Sequence, residues 1–179
     1  MIYKNENVVT GKNCRIAPDT DLVNITCGDN VVINSGTSMR NVVIGNDSII
    51  KRNIVLYSPY DDKPVIIGKN VLVGHGVFGE ATGGRIIIGD DAGIAHFVVF
   101  VTSTGPGEER VLLDEIFPGE VGDIIIGKSC WVGMRSMFLP GIDLPEGTVI
   151  AANSVVRKQE YKSWCLYAGS PAVFKKALK

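Results

Sequence analysis

The chain has 179 residues, a formal net charge of −1 and an isoelectric point of about 6.1, values that argue against a general nucleic-acid binder. Its length suits one domain better than two. No stretch approaches the roughly 20 apolar residues of a membrane-spanning helix, and the first residues lack the apolar run of a signal peptide. We therefore expect one domain over residues 1–179 in the cytoplasm.

A short sequence phrase recurs along the chain in a constant frame. In each full copy a first residue is followed by Gly, then by a polar pair such as Lys-Asn or Asp-Asp; the copies begin at Thr10, Cys27, Ile44, Ile67, Ile88 and Ile126, with an altered seventh at Leu144. Toward the C-terminus the apolar residues are six apart: Ile126, Val132, Phe138, Leu144, Ile150 and Val156. A six-residue period is typical of a parallel β-helix, in which three hexapeptides form one triangular coil.

The repeat frame predicts an all-β solenoid of about seven coils over residues 8–160. Small residues four positions after each aliphatic residue suit a narrow core, and the Gly-x-Asn/Asp turns suit corners with left-handed backbone angles. Three intervals exceed one coil and predict excursions, the longest over residues 102–123. Long loops on a rigid scaffold often carry function. A tail follows over 161–179, in which residues 172–178 are predicted to form a short helix.

Four motifs in the last third of the chain point to a family. They are Trp131-Val132-Gly133, Leu139-Pro140-Gly141, Val155-Val156-Arg157-Lys158 and Gly169-Ser170-Pro171-Ala172, in this order. This run closely resembles the hexapeptide-repeat acetyltransferases, which include the maltose, galactoside, xenobiotic and polysaccharide O-acetyltransferases. The resemblance implies a left-handed β-helix, a homotrimer, and acetyl-CoA as the co-substrate in the groove between neighbouring prisms, with no metal.

The resemblance also implies which residues contact CoA. Met134 and Ala152 match positions that line the pantetheine arm. Trp131 is expected to line the groove beside the acyl group, because a narrow triangular core rarely admits an indole ring. Packing inside the core is the alternative for this side chain.

Three cations match positions near the CoA phosphates and adenine: Arg157, Lys158 and Lys176. Cationic side chains there suit the several negative charges of CoA. The alternative for such a lysine-rich C-terminus is a solvated surface.

Acetyl transfer to a hydroxyl needs a base, and histidine has a suitable pKa. In the acetyltransferases the base usually lies on the long loop in a run like Thr-Gly-His, but Pro106 occupies the corresponding place here. The chain has two histidines, His75 and His96, at equivalent positions of successive coils. Because His96 should lie one coil from Met134, it is the predicted catalytic base, and His75 is expected to be an ordinary corner residue.

The sequence thus predicts an acetyl-CoA-dependent O-acetyltransferase for a sugar or glycan hydroxyl, with a small-molecule or glycan acceptor. N-acetylation of an amino sugar is a close alternative. A catalytically decayed protein that binds CoA or assembles with others is another, supported by Pro106. A zinc carbonic anhydrase on a similar solenoid needs three histidines, more than this chain has.

Overall fold

The repeat frame predicted from the sequence matches the register in which the strands of the folded chain pair. A computed structural model describes residues 5–106 and 111–179. In it the first residues of successive repeats pair in parallel, one above the other, and the whole file is Thr10, Cys27, Ile44, Ile67, Ile88, Ile126 and Leu144. The predicted hexapeptide β-helix is confirmed, and each predicted coil begins where the repeat places it.

Three strand ladders form the faces of the prism. Face B is a sheet of nine strands, in the order β2 (Arg15–Ile16), β4 (Val32–Ile33), β6 (Ile49–Ile50), β9 (Leu72–Val73), β12 (Gly93–Ile94), β17 (Trp131–Val132), β20 (Val149–Ile150), β22 (Cys165–Ala168) and β23 (Val173–Ala177).

Faces A and C belong to one sheet of twelve strands, because the long strands of the first coils run through both faces. These long strands are β1 (Asn5–Thr10), β3 (Asp21–Cys27) and β5 (Ser38–Ile44). Face A continues through β8 (Val65–Ile67), β11 (Ile86–Ile88), β16 (Ile124–Ile126) and β19 (Ile142–Leu144). Face C continues through β7 (Val55–Tyr57), β10 (Phe78–Glu80), β13 (Val99–Val101), β18 (Met137–Phe138) and β21 (Val155–Val156).

The core and the corners follow the predicted chemistry. Aliphatic residues at the first repeat position are buried, and the small residues four positions later, such as Ser48, Cys130 and Ser154, are buried between them. The fourth residue of each full repeat has a positive φ: Asn13, Asn30, Asp47, Asn70, Asp91 and Ser129. Short polar side chains tolerate this left-handed conformation better than bulky ones do, which explains the Asn and Asp of the repeat.

All three excursions leave the prism at one corner, between faces C and A, which we call the loop corner. The longest contains the antiparallel pair β14 (Ser103–Thr104) and β15 (Glu120–Val121), with helix α1 (Val111–Ile116) between them. Part of this predicted loop, residues 107–110, lies outside the described residues.

The predicted C-terminal helix over residues 172–178 is wrong. Residues Val173–Ala177 form strand β23, which pairs antiparallel with β22 and ends the nine-stranded sheet. The Tyr167 ring contacts the Phe174 ring edge-on, with centroids 6.0 Å apart. Pairing satisfies backbone groups that the last coil would leave open, and Val and Phe favour a strand; this tertiary contact outweighs the weak helical pattern.

Candidate functional site

An open groove runs along face B beside the corner between faces B and C. Its volume is about 410 Å³, and its lining is largely aliphatic and backbone. Four of the predicted site residues line it: His96, Trp131, Met134 and Ala152. They come from three successive coils, so the stacking of the coils is what brings them together.

Trp131 projects outward from β17 and does not enter the core. Its side chain is 48% exposed, while the next residue, Val132, is fully buried. The indole ring lies against Gly93 of the preceding coil, in the space that a side chain there would occupy. The prism therefore holds the ring as one wall of the groove, in agreement with the predicted orientation.

The predicted file of corner residues is present. Backbone hydrogen bonds between successive coils fix this alignment. The carbonyl of each file residue accepts from the N–H of the residue that follows the next member of the file. The donors to Arg52, His75, His96 and Met134 are, in that order, Gly76, Phe97, Arg135 and Asn153. We call the file Arg52, His75, His96, Met134 and Ala152 the histidine corner. Successive residues of the histidine corner are about 4.8 Å apart, the spacing between paired strands.

The two imidazole rings are stacked along this corner. Their centroids are 4.9 Å apart with an interplanar angle of 31°. The Nδ1 atom of His96 accepts a hydrogen bond of 2.9 Å from the backbone N–H of His75, and Nδ1 of His75 accepts one of 3.3 Å from the backbone N–H of Arg52. Desolvation and the nearby charges of His96, Lys51 and Arg52 lower the pKa of His75. These interactions favour the neutral form of His75.

The predicted cations are divided between two places. Lys176 pairs with Leu166 at the end of face B, and Leu166, Val149 and Trp131 form one outward-facing file. Lys176 thus lies three strand spacings, about 14 Å, from Trp131 on the same face.

Arg157 and Lys158 lie instead at the loop corner, beside Glu120, Val121 and Gly141. They line a second pocket of about 420 Å³ that is separate from the groove. Within the chain, Arg157 and Lys158 therefore lie away from Trp131.

The long loop leaves the coil of His96, but at the loop corner and not at the histidine corner. An ion pair closes its return: Arg85 Nη2 donates to Asp123 Oδ2 at 2.6 Å, and the Arg85 backbone N–H donates to Asp123 Oδ1 at 2.8 Å. The hydrogen bonds from Arg85 lower the pKa of Asp123. The loop base is thus held against the shorter excursion over residues 81–85.

Some residues of the site were not predicted from the sequence. Lys51 lines the groove and places a positive charge at the end nearest the N-terminal coils. Gly74 and Gly93 act by having no side chain: a Cβ on Gly74 would lie 2.8 Å from His96 Nδ1, and one on Gly93 would lie 2.5 Å from the Trp131 ring. For Gly93 the signal that could have found it is the ring of Trp131 at the equivalent position of the next coil. Gly74 gives no such signal, because the His96 ring follows its equivalent residue by one position.

Residues 5–106 and 111–179 hold no group of three or more His, Cys, Asp or Glu side chains arranged to bind a metal. Within the same residues, no helix has the length and apolar character needed to cross a membrane.

Fold and groove together define a hexapeptide-repeat solenoid with an open groove along one edge. The family described as "Hexapeptide repeat of succinyl-transferase" matches residues 123–158. The chain is 32% identical over 112 residues to a probable macrolide acetyltransferase of Lysinibacillus sphaericus, a match that covers 53% of this chain and 61% of the relative. It thus spans about three fifths of that relative.

Two longer matches cover nearly the whole chain. One is a dTDP-4-amino-4,6-dideoxy-D-glucose acyltransferase of Escherichia coli, 28% identical over 170 residues, covering 90% of this chain and 78% of the relative. The other is the solved structure of a variant of AntD, an N-acyltransferase from Bacillus cereus, in complex with dTDP and coenzyme A. It has a TM-score of 0.57 and 20% identity, and covers 97% of this chain and 84% of that one. The predicted resemblance to the hexapeptide-repeat acetyltransferases is confirmed.

Proposed function

We propose that the protein is an acetyl-CoA-dependent acetyltransferase that modifies a sugar or similar small molecule or glycan. The observation that carries this proposal is the groove on face B, where Trp131, Met134, Ala152 and His96 lie together. An apolar groove with few polar groups suits a pantetheine arm. A histidine midway along the groove suits chemistry at the thioester.

The pantetheine arm would run along the histidine corner past Ala152 and Met134, toward His96. Trp131 would form the wall beside it, and Lys176, farther along face B, would meet the phosphate end. Lysine is a good partner for a phosphate because its ammonium group carries three donors. The length from Trp131 to Lys176, about three strand spacings, suits an extended ligand.

Arg157 and Lys158 would reach the CoA phosphates only in an assembly. Because they lie at a different corner from the groove, we propose that they face the groove of a neighbouring copy in a homotrimer. This is the arrangement that the sequence resemblance implied. It also gives the long loop, which lies beside Arg157 and Lys158, access to the acceptor in the neighbouring groove.

The acceptor group is a hydroxyl or an amine. The sequence favoured a hydroxyl with His96 as the general base, and amino-sugar acylation was the alternative. The named relatives include an acyltransferase for an amino sugar nucleotide and a macrolide acetyltransferase. The hydrogen bonding of the His96 ring bears on this choice.

A second candidate function is CoA binding without catalysis. The observation that favours it is Pro106, which stands in the loop run where the resemblance places a histidine. Such a protein would bind CoA in the same groove and would transfer no acetyl group.

The proposed function is tested by calorimetric titration of CoA into the protein, followed by assay of thiol release from acetyl-CoA with sugar acceptors. Binding with acceptor-dependent thiol release is the expected result. Binding without release for any acceptor would favour the non-catalytic alternative, and absence of binding would contradict both functions. The same titration is made with Trp131→Ala and, as its control, with Trp164→Ala. Trp164 lies against Gly147 as Trp131 lies against Gly93, but it does not line the groove.

A further inference from the structure

The hydrogen bonds of the histidine corner determine which ring nitrogen carries the proton. A backbone N–H is always a donor, so the Nδ1 atom that it meets must offer a lone pair. This holds for His96, which meets the His75 N–H at 2.9 Å, and for His75, which meets the Arg52 N–H at 3.3 Å. The neutral form of each ring therefore has its hydrogen on Nε2.

The fold builds this orientation of the His96 ring. A Cβ on Gly74 would lie 2.8 Å from His96 Nδ1, so the absence of a side chain at residue 74 makes the room for the ring against the preceding coil. The His75 ring, which belongs to the same preceding coil as Gly74, stacks on the His96 ring with the two centroids 4.9 Å apart. The tautomer is thus set by the packing of two coils.

A general base must direct an unprotonated lone pair at the substrate. In His96 the lone pair of Nδ1 is engaged by the backbone, and the remaining nitrogen, Nε2, carries a hydrogen. The imidazolium form has no lone pair at all. His96 can therefore donate a hydrogen bond to a ligand in the groove, but it cannot accept a proton from one while the bond to His75 is intact.

We propose that His96 donates its Nε2–H to the thioester carbonyl oxygen, and that the acceptor group is an amine, as on an amino sugar, rather than a hydroxyl. This inference rests on the proposed function of the groove. A hydroxyl must give up its proton as it attacks, whereas a neutral amine attacks with its own lone pair. The amine is thus the acceptor that needs no base from His96.

The reaction balances without a further reactant. The amine lone pair forms a bond to the thioester carbon, and the carbonyl electron pair moves to oxygen, where the His96 Nε2–H stabilises the developing charge. When the carbonyl re-forms, the carbon–sulfur bond breaks and CoA leaves as thiolate. The thiolate takes the proton that the new ammonium group loses, and the products are an amide and free CoA.

The tautomer is tested directly by NMR of the protein labelled with nitrogen-15 histidine, with CoA absent. The chain has two histidines, so His96→Gln and His75→Gln assign the signals by loss. We expect both neutral rings to carry hydrogen on Nε2, with Nδ1 unprotonated. Hydrogen on Nδ1 of His96 would overturn the proposal whatever the protein's activity.

The role of His96 is tested by substitution. Glutamine keeps an amide N–H donor at the end of the side chain but has no basic lone pair. We expect thiol release with an amino sugar to fall roughly 10²- to 10³-fold in His96→Ala, the usual cost of one oxyanion donor, and to stay within about 10-fold of wild type in His96→Gln. Equal losses in the two variants would overturn the donor role. Arg52→Gln is the matched control, since Arg52 lies on the same corner two coils from His96 and does not line the groove.

The acceptor class is tested with pairs of amino sugars and their hydroxyl counterparts at equal concentration. Transfer to the amino member of a pair, and at least about 10-fold slower transfer to the hydroxyl member, is the expected result. Faster transfer to hydroxyls, or CoA binding with no transfer to any amine, would overturn the amine assignment. No CoA binding would instead remove the proposed function, and the NMR result would still decide the histidine tautomer.

Discussion

The indole ring of Trp131 occupies the space above Gly93, so closely that a Cβ on Gly93 would lie 2.5 Å from the indole Cε3 atom. The two residues are paired in register on face B, one coil apart. Half of the Trp131 side chain remains exposed, 48%. The glycine therefore sets the position of the groove wall.

Gly93→Ala is expected to displace the Trp131 ring and weaken CoA binding, with the fold retained because the ring has open solvent to move into. We expect a dissociation constant raised by about 10-fold or more, since about 1.4 kcal/mol of ring contact would be lost. Calorimetric titration of CoA measures it. An unchanged affinity in both Gly93→Ala and Trp131→Ala would remove the ring from the binding site.

Lys176→Ala is expected to weaken CoA binding by about 10-fold, the effect of losing one charged hydrogen bond of roughly 1.4 kcal/mol. Binding of pantetheine, which lacks the nucleotide phosphates, should not change. Lys175→Ala is the matched control for charge, because Lys175 falls at an irregularity of strand β23 and has no paired residue on β22, whereas Lys176 pairs with Leu166. Equal effects of the two substitutions would show that only the overall charge of the C-terminus matters.

Phe138→Ala is expected to lower the free energy of unfolding by about 3–5 kcal/mol, through lost burial and the cavity that remains. Phe138 and Phe100 are fully buried in adjacent coils, with ring centroids 5.1 Å apart. Denaturant unfolding at a fixed protein concentration measures the loss. A change below about 1 kcal/mol would mean that the core repacks around the missing ring, contrary to the tight stacking of coils described above.

Asp123→Asn is expected to lower the melting temperature near neutral pH. The hydrogen bonds from Arg85 lower the pKa of Asp123 below its ordinary value of 3.8. A carboxyl with a lowered pKa stabilises the fold above that ordinary value, and the stabilisation is lost as pH falls through the folded-state pKa. The difference in melting temperature between wild type and variant should therefore shrink at pH values below 3.8. A difference that stays constant with pH would mean that charge does not hold the loop base.

Much of the fold could be predicted from local sequence because a solenoid is built from local rules. The first residue of every repeat, from Thr10 to Leu144, pairs as the frame predicts, and each fourth-position Asn or Asp takes a positive φ. The file from Arg52 to Ala152 followed from the same frame. Such features depend only on the repeat period of the sequence and on the residue types within a single turn.

The features that the sequence did not predict depend on contacts between distant residues. The strand over Val173–Ala177 exists because β22 offers an unpaired edge, which a local helical pattern does not reveal. The separation of Arg157 and Lys158 from the groove depends on which corner each residue reaches. The hydrogen bond from His75 to His96 Nδ1 depends on the rotation of a side chain, which a repeat frame leaves open.

The groove lined by Trp131, Met134, Ala152 and His96 is the proposed binding site for CoA. Calorimetric titration of CoA into wild-type protein and into Ala152→Trp tests it most directly, because Ala152 is exposed at the groove and an indole there would fill it. We predict binding to the wild type and a loss of at least about 100-fold in the variant, which corresponds to 2.7 kcal/mol or more. Equal affinity in both proteins, with the variant's fold intact by circular dichroism, would contradict the account.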